Sequence, residues 1–261
     1  MPRANRYFTA GYIWHITHRC HQKEFLLKFS RDRTRWRYWL FEAKKRYGLC
    51  VLNYVVTSNH IHLLVKDTGE SVISKSLQLI AGRTGQEYNM RKGRTGAYWE
   101  DRYHATAIGS DDHLSKCLVY IDLNMVRAGV VRHPKDWPHG GYTEIQSHPE
   151  RYRIIDIDQL LKVFGIASIT AFQSQQREWV DQELMHDSLQ RDERWTNSIA
   201  IGSESFIEQI KTSLGIKAIH KKVIIKERSY HIKDETSSYV PNLDSKTEAI
   251  KEDNSVLLDL I

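Results

Sequence analysis

The segment "TSNHIHLLVKD", residues 57–67, sets two histidines, His60 and His62, on alternate positions of an apolar run. Side chains in a strand alternate faces, so both imidazoles point the same way, about 6–7 Å apart along the strand, with Ile61 on the opposite side. Two imidazoles placed in this way could share one divalent ion. The same pattern also fits a polar pair on the wet face of an ordinary strand, and a lone His-x-His has low specificity. A second group lies in "CLVYIDLNMVRAG", where Tyr120 and Asn124 are four residues apart and so share a face of a helix. Leu118, Ile121 and Met125 form a neighbouring apolar stripe that would dock this helix on a sheet. A phenol and an amide held there could both reach an ion carried by the sheet; the alternative is a packed tyrosine and an asparagine near a helix end.

The elements that must position these groups are legible from periodicity. "GYIWHITHRC" alternates as a first strand, and "SRDRTRWRYWLFEAKKRYG" reads as a helix capped by Ser30 and stopped by Gly48. "LCVLNYVVT" and "HIHLLVKD" form an antiparallel pair around a short turn. A second helix spans "ESVISKSLQLIAGRTGQEYNMRKG", weakened toward its end by Gly82 and Gly85. "GAYWEDRYHATAIGS" is strand material, and "SDDHLSKCLVYIDLNMVRAG" is a third helix with Ser110 or Asp111 as its cap and Gly129 as its stop. The order β, α, β, β, α, β, α predicts an α+β fold: one antiparallel sheet with helices packed on it, close to the split βαβ plan.

After residue 132 prolines and glycines become denser, as expected of an irregular segment wrapping the first domain. Three helical patterns follow, one with the capping-box spacing of Ser205 and Glu208, and together they predict a small C-terminal helical appendage. The stretch from about Glu227 onward is polar, lacks periodicity and reads as a flexible tail. The resulting division is 1–150, 151–226 and 227–261.

The charge is divided unevenly. Residues 1–150 carry 23 Lys and Arg against 14 Asp and Glu, net +9, whereas residues 151–261 carry 15 against 18, net −3. The basic half suits a polyanion, most simply nucleic acid. Three widely spaced cysteines, Cys20, Cys50 and Cys117, exclude a disulfide framework and a thiolate zinc site and fit a reducing compartment. No apolar run reaches membrane-spanning length, and the N-terminus has no long apolar core, so a cytoplasmic protein without membrane contact is expected.

Taken in order, "SNHIHLLV", "YWEDRYHATAI" and "YIDLNMVRAGVV" resemble the single-tyrosine HUH transposases, and most closely their REP-associated tyrosine transposase branch, over about residues 5–145. The resemblance implies an HUH-type, ferredoxin-like domain in which His60 and His62 bind the metal, Asn124 completes the metal site and Tyr120 is the nucleophile. Two departures stand out. Met125 takes a position where proline is common, and "TSNH" replaces the usual "MPNH" without touching the histidines. The implied substrate is single-stranded DNA bearing imperfect palindromes that fold as hairpins, typified by REP elements.

The chemistry matches the residue types. Nitrogen ligands with an amide oxygen admit Mg²⁺ or Mn²⁺, with zinc not excluded by ligand type. A phenol with an ordinary pKa of about 10 needs help to attack at neutral pH. Attack would join the protein to a 5′-phosphate and free a 3′-OH, which keeps the bond energy available for strand transfer. Arg19, Arg83, Arg94, Arg102 and Arg127 are candidate backbone contacts, and Trp99 and Tyr103 are candidate stacking platforms for unpaired bases; solvated arginines and core aromatics are the alternatives. The expected activity is metal-dependent nicking and strand transfer by a transposase, acting as a monomer or homodimer. Two other readings remain open at this point: a replication-initiator-like nickase, and a non-catalytic protein that binds palindromic nucleic acid and would tolerate Tyr120→Phe.

Overall fold

The computed structural model describes residues 8–109, 112–147, 151–185, 190–215, 221–226 and 229–234. Strand β1 (Ile13–Arg19) leads to helix α1 (Ser30–Tyr47), then to the hairpin of β2 (Cys50–Val56) and β3 (His60–Lys66). Helix α2 (Val72–Lys92), strand β4 (His104–Ile108) and helix α3 (Asp112–Asp122) follow. The chain continues through the short helix α4 (Asn124–Arg127), α5 (Gly141–Ser147), α6 (Ile157–Phe164), α7 (Ile169–Met185) and α8 (Arg194–Asn197). Strand β5 (Ala200–Gly202), helix α9 (Glu204–Leu214) and strands β6 (Lys221–Lys226) and β7 (Ser229–Asp234) complete it. Among the described residues no helix is long and apolar enough to cross a membrane.

The α+β expectation holds, with a larger sheet than the sequence indicated. Among the described residues seven strands run in the order β2-β3-β1-β4-β5-β7-β6, antiparallel except for the parallel pair β4–β5. The region after residue 150 is therefore not purely helical: β5, β6 and β7 extend the sheet. β7 lies in the stretch read as a tail, because Tyr230 and Ile232 pair with β5 across Gly202 and Ala200. That partner is distant in sequence, and alternation over so few residues cannot reveal it. Residues 227–228 and 235–261, the rest of that stretch, lie outside the described residues.

Several local expectations are refined. Gly48 ends α1 in the left-handed conformation, φ +70°, as glycine permits. Ser30 is the first helical residue rather than the cap, and its hydroxyl pairs with His139 instead. The strand expected across "GAYWEDRYHATAIGS" begins only at His104, and α2 runs unbroken through both internal glycines. At α9 the cap is Ser203, which accepts a hydrogen bond from the Phe206 amide, not Ser205. The expected cap of α3, Ser110 or Asp111, lies outside the described residues. The long helix expected to carry both Tyr120 and Asn124 is interrupted at Leu123, φ −80° and ψ 4°, so Tyr120 lies in the last turn of one helix and Asn124 starts the next.

Register decides which side chains share a face. β1 lies between β3 and β4, with Thr17 opposite both His62 and His104, and His15 opposite both Leu64 and Thr106. Directly opposed residues point to the same side, so His15, Thr17, His60, His62, His104 and Thr106 all lie on one face. Helix α3 covers that face. It is held there by buried Asn53 of β2, whose amide donates to the Asp122 carboxylate (2.9 Å) and to the Leu118 carbonyl (3.3 Å). Asp122 also accepts from Gln176 of α7 (2.8 Å). Burial pushes its carboxyl up to about 7, against the opposing pull of those two amide donors.

The same Asn53 leaves no room beside Gly141. A Cβ there would collide with the Asn53 Oδ1, which accepts from the Tyr54 amide, and would come 3.1 Å from the Tyr54 nitrogen. Gly141→Ala is therefore expected to lower unfolding stability by about 2–4 kcal/mol, measured by urea denaturation, because the buried Asn53 side chain, held by its hydrogen bonds with Leu118, Asp122 and the Tyr54 amide, must give way. Since Asn53 anchors α3, the same substitution should loosen the helix that carries Tyr120, read as faster amide exchange along residues 112–122.

Candidate active site

His60 and His62 sit at the start of β3 with their ring centroids 4.9 Å apart. Each ring has one nitrogen engaged in a way that fixes its tautomer. The Nδ1 of His60 lies 2.7 Å from Asn59 Oδ1. The Asn59 amide is oriented by its Nδ2 donating to the Lys23 carbonyl (3.3 Å), so Oδ1 is the atom that faces the imidazole. A carbonyl oxygen only accepts, so His60 donates from Nδ1 and keeps a lone pair on Nε2. His62 is 2% exposed. Its Nδ1 faces His15 Nε2 at 2.9 Å and its Nε2 faces the Asn124 Nδ2 at 2.9 Å. An amide Nδ2 only donates, so His62 Nε2 is the acceptor.

Burial makes both imidazoles poor bases. His60 is lowered to about 3, by burial first and then by the Arg191 and Arg19 charges, and His62 is lowered well below the ordinary value by burial and by His60 and His15. Both are neutral at physiological pH, with Nε2 lone pairs available. Among the described residues no three His, Cys, Asp or Glu side chains gather into a metal-binding group. A third protein ligand would have to be Asn124, whose NH₂ now occupies the place in front of His62 Nε2. Rotating that amide by half a turn brings Oδ1 to the same place, so two imidazoles and an amide oxygen fit a divalent ion with positions left open for phosphate and water.

Tyr120 is 6% exposed, and its ring lies 5.7 Å from that of His62. The Arg127 guanidinium packs 4.1 Å over the phenol ring and also donates to the Tyr120 carbonyl. Burial pushes the phenol pKa up, while the charges of Arg127 and Arg191 pull it down. Two clefts flank the group. Arg19, Arg102, Arg191, Thr196 and Asn197 line one together with the histidines; Val119, Arg127, Asp192 and Trp195 line the other together with Tyr120. Residues 190–197 thus run between the histidine pair and the tyrosine.

The structure brings His60, His62, Asn124, Tyr120 and Arg127 together, with Arg19 and Arg102 at the rim of the histidine cleft. Arg19 is paired with Glu100 there. Arg83 and Arg94 belong to α2 and the turn after it, where Arg83 lies over Trp39 and Arg94 donates to the Ala97 carbonyl. Two aromatic expectations need correction. Tyr103 is 6% exposed and belongs to the core, and one face of Trp99 is taken by the stacked His18 ring, 4.1 Å away, while its indole N–H donates to the Ala81 carbonyl. Both side chains are occupied by internal packing, which alternation along a short strand could not distinguish from an exposed platform. His15 and Arg191 were missed. His15 has the right strand spacing in "WHITHR", but only the register with β3 places it on His62, and Arg191 sits in a polar connection without periodicity.

Residues 9–124 match the family model described as IS200-like transposase. The match spans less than half of the chain. It contains His60, His62 and Tyr120 and ends at Asn124, so Arg127 and Arg191 lie beyond the match. Among solved structures, one of a REP-associated tyrosine transposase bound to a REP hairpin is similar at 21% identity and a TM-score of 0.48, covering 59% of this chain and 90% of that one. A putative transposase from Deinococcus radiodurans R1 is similar at 13% identity and a TM-score of 0.34, covering 50% and 98%. No curated protein matches the chain.

Proposed function

We propose that the protein nicks and rejoins single-stranded, palindromic hairpin DNA of the REP type through a 5′-phosphotyrosine on Tyr120. The observation that carries this reading is the convergence of two lone-pair-bearing Nε2 atoms, the Asn124 amide and a buried phenol on one face of the sheet. His60, His62 and Asn124 would hold Mg²⁺ or Mn²⁺, which as a Lewis acid would withdraw charge from the scissile phosphate. Arg127 and Arg191 stabilise the phenolate form of Tyr120. Arg191 also has a buried Nη1 without a hydrogen-bond partner among the described residues, a donor suited to a non-bridging phosphate oxygen.

The Tyr120 oxygen attacks phosphorus, the bond from phosphorus to the 3′-oxygen breaks, and that oxygen takes up a proton to leave as a 3′-OH. The phenol proton departs to solvent. Arg19 and Arg102 at the mouth of the histidine cleft would hold the incoming backbone. Reversal with a different 3′-OH transfers the strand without an added energy source.

The test is incubation with 5′-labelled and 3′-labelled hairpin oligonucleotides in Mn²⁺ or Mg²⁺, followed by denaturing gels and mass spectrometry. The expected result is a protein adduct on Tyr120, carrying the strand on the 3′ side of the nick, that disappears when a chelator is present. Cleavage without an adduct would point to hydrolysis by a metallonuclease, and tight binding without cleavage would point to a non-catalytic palindrome-binding protein; either would overturn the reading.

A further inference from the structure

His15 is fully buried on β1 and has no part in the chemistry described above. Its ring is nearly parallel to that of His62, with centroids 5.0 Å apart and planes 10° from parallel, which lets the two rings meet edge to edge through their nitrogens. Its Nδ1 lies 2.9 Å from the Trp195 carbonyl oxygen, and its Nε2 lies 2.9 Å from His62 Nδ1. These two contacts allow one proton arrangement for a neutral pair. The carbonyl can only accept, so His15 carries its proton on Nδ1 and its Nε2 is an acceptor. His62 must then donate from Nδ1, which leaves Nε2 with a lone pair facing Asn124.

The anchor of this chain is itself fixed. Trp195 belongs to α8, and the segment behind it is pinned to β4 by the Ala107 and Gly109 amides, which donate to the Ile199 and Ile201 carbonyls at 2.8 Å. Thr106 donates to the Ser198 carbonyl at 2.7 Å, beside the Trp195 carbonyl that it also reaches. A displaced Trp195 carbonyl would release His15 to either tautomer, and His62 with it.

We infer that His15 is a positioning residue which, held by the Trp195 carbonyl, locks His62 in the tautomer that offers Nε2 to a metal, so that the region after residue 150 is part of the metal site. This rests on the reading of His62 as a ligand. His60 is locked independently by its neighbour Asn59, so the site depends on one local lock and one long-range lock. The long-range lock makes metal affinity a function of how well the C-terminal strands are docked.

The experiment compares the wild-type full chain with His15→Phe and His15→Gln. Phenylalanine keeps an aromatic ring beside His62 but cannot accept a hydrogen bond, whereas glutamine can present an oxygen close to the position of Nε2. Long-range ¹H–¹⁵N spectra of the metal-free proteins read the His62 tautomer directly, and Mn²⁺ titration followed by EPR reads affinity without any cleavage. The expected wild-type spectrum has a protonated Nδ1 and an unprotonated Nε2. His15→Phe should mix or invert that tautomer and weaken Mn²⁺ binding about tenfold or more, and His15→Gln should restore most of both.

A wild-type His62 protonated on Nε2 would overturn the inference even if neither variant folds, and so would a His15→Phe protein with unchanged tautomer and affinity. The expected wild-type tautomer with no Mn²⁺ binding at all would instead sink the ligand reading beneath it, and with it the purpose assigned to His15.

Discussion

Tyr120→Phe is expected to abolish the covalent protein–DNA adduct and to lower strand cleavage by about 10⁴-fold or more, with hairpin binding nearly unchanged. The size follows from the role: without the nucleophile only positioning and charge stabilisation remain, and neither forms a bond to phosphorus. The selectivity follows from the structure. Phenylalanine keeps the ring under the Arg127 guanidinium and beside His15, His62 and Trp195. Only the hydroxyl, on which the Arg191 charge acts, is lost, a change worth about 1 kcal/mol of stability. Gel-shift affinity, thermal melting and single-turnover cleavage on one hairpin separate these effects. Residual cleavage within tenfold of wild type would show that water or another side chain attacks, and the phosphotyrosine mechanism would fail.

How much of this site the sequence revealed depended on whether the relevant partner was near in the chain. His60 and His62 could be paired from strand alternation, and Tyr120 with Asn124 from helical spacing, because both rules act over a few residues. Even so, the rule for the second pair described a continuous helix, and the break at Leu123 came as a difference. The pairing between the two groups was not legible. It is set by Thr17 lying opposite His62 and by Asn53 tying α3 to the sheet, contacts between residues far apart in sequence. Tyr103 shows the limit from the other side: a tyrosine beside a basic run looks like a base-stacking platform until the packing places it in the core.

The C-terminal half illustrates the same limit more strongly. Its helices were visible from capping and apolar spacing, but its contribution to the sheet and to the site was not. Arg191, Trp195 and Asn197 reach the site because β5 adds in parallel to β4, and that pairing rests on two residue pairs only. A region that looked like an appendage in sequence supplies the carbonyl behind His15 and a guanidinium whose charge acts on the phenol. The matched family segment ends at Asn124, so the electrostatics around Tyr120 depend on parts of this chain beyond it.

The two histidines are expected to differ when each is removed, although both changes should end metal-dependent cleavage. His60→Ala deletes a partly exposed ring held by Thr57 and Asn59 at the mouth of a cleft that water can enter. It should weaken Mn²⁺ binding about 10²-fold or more while lowering stability by only about 1 kcal/mol. His62→Ala removes a buried ring, opens a void beside His15 and leaves the His15 Nε2 and the Asn124 amide without their partner. Void and orphaned polar atoms add, so the expected cost is about 3–5 kcal/mol on top of the lost metal binding. Urea denaturation with and without Mn²⁺ resolves the two effects, since an ion that binds only the folded protein raises wild-type stability with its concentration. Neither variant should show that increase. If His60→Ala retained both the Mn²⁺-dependent stabilisation and the adduct, the two imidazoles would be strand-face histidines after all, and the nucleophile would have to be activated by Arg127 and Arg191 alone.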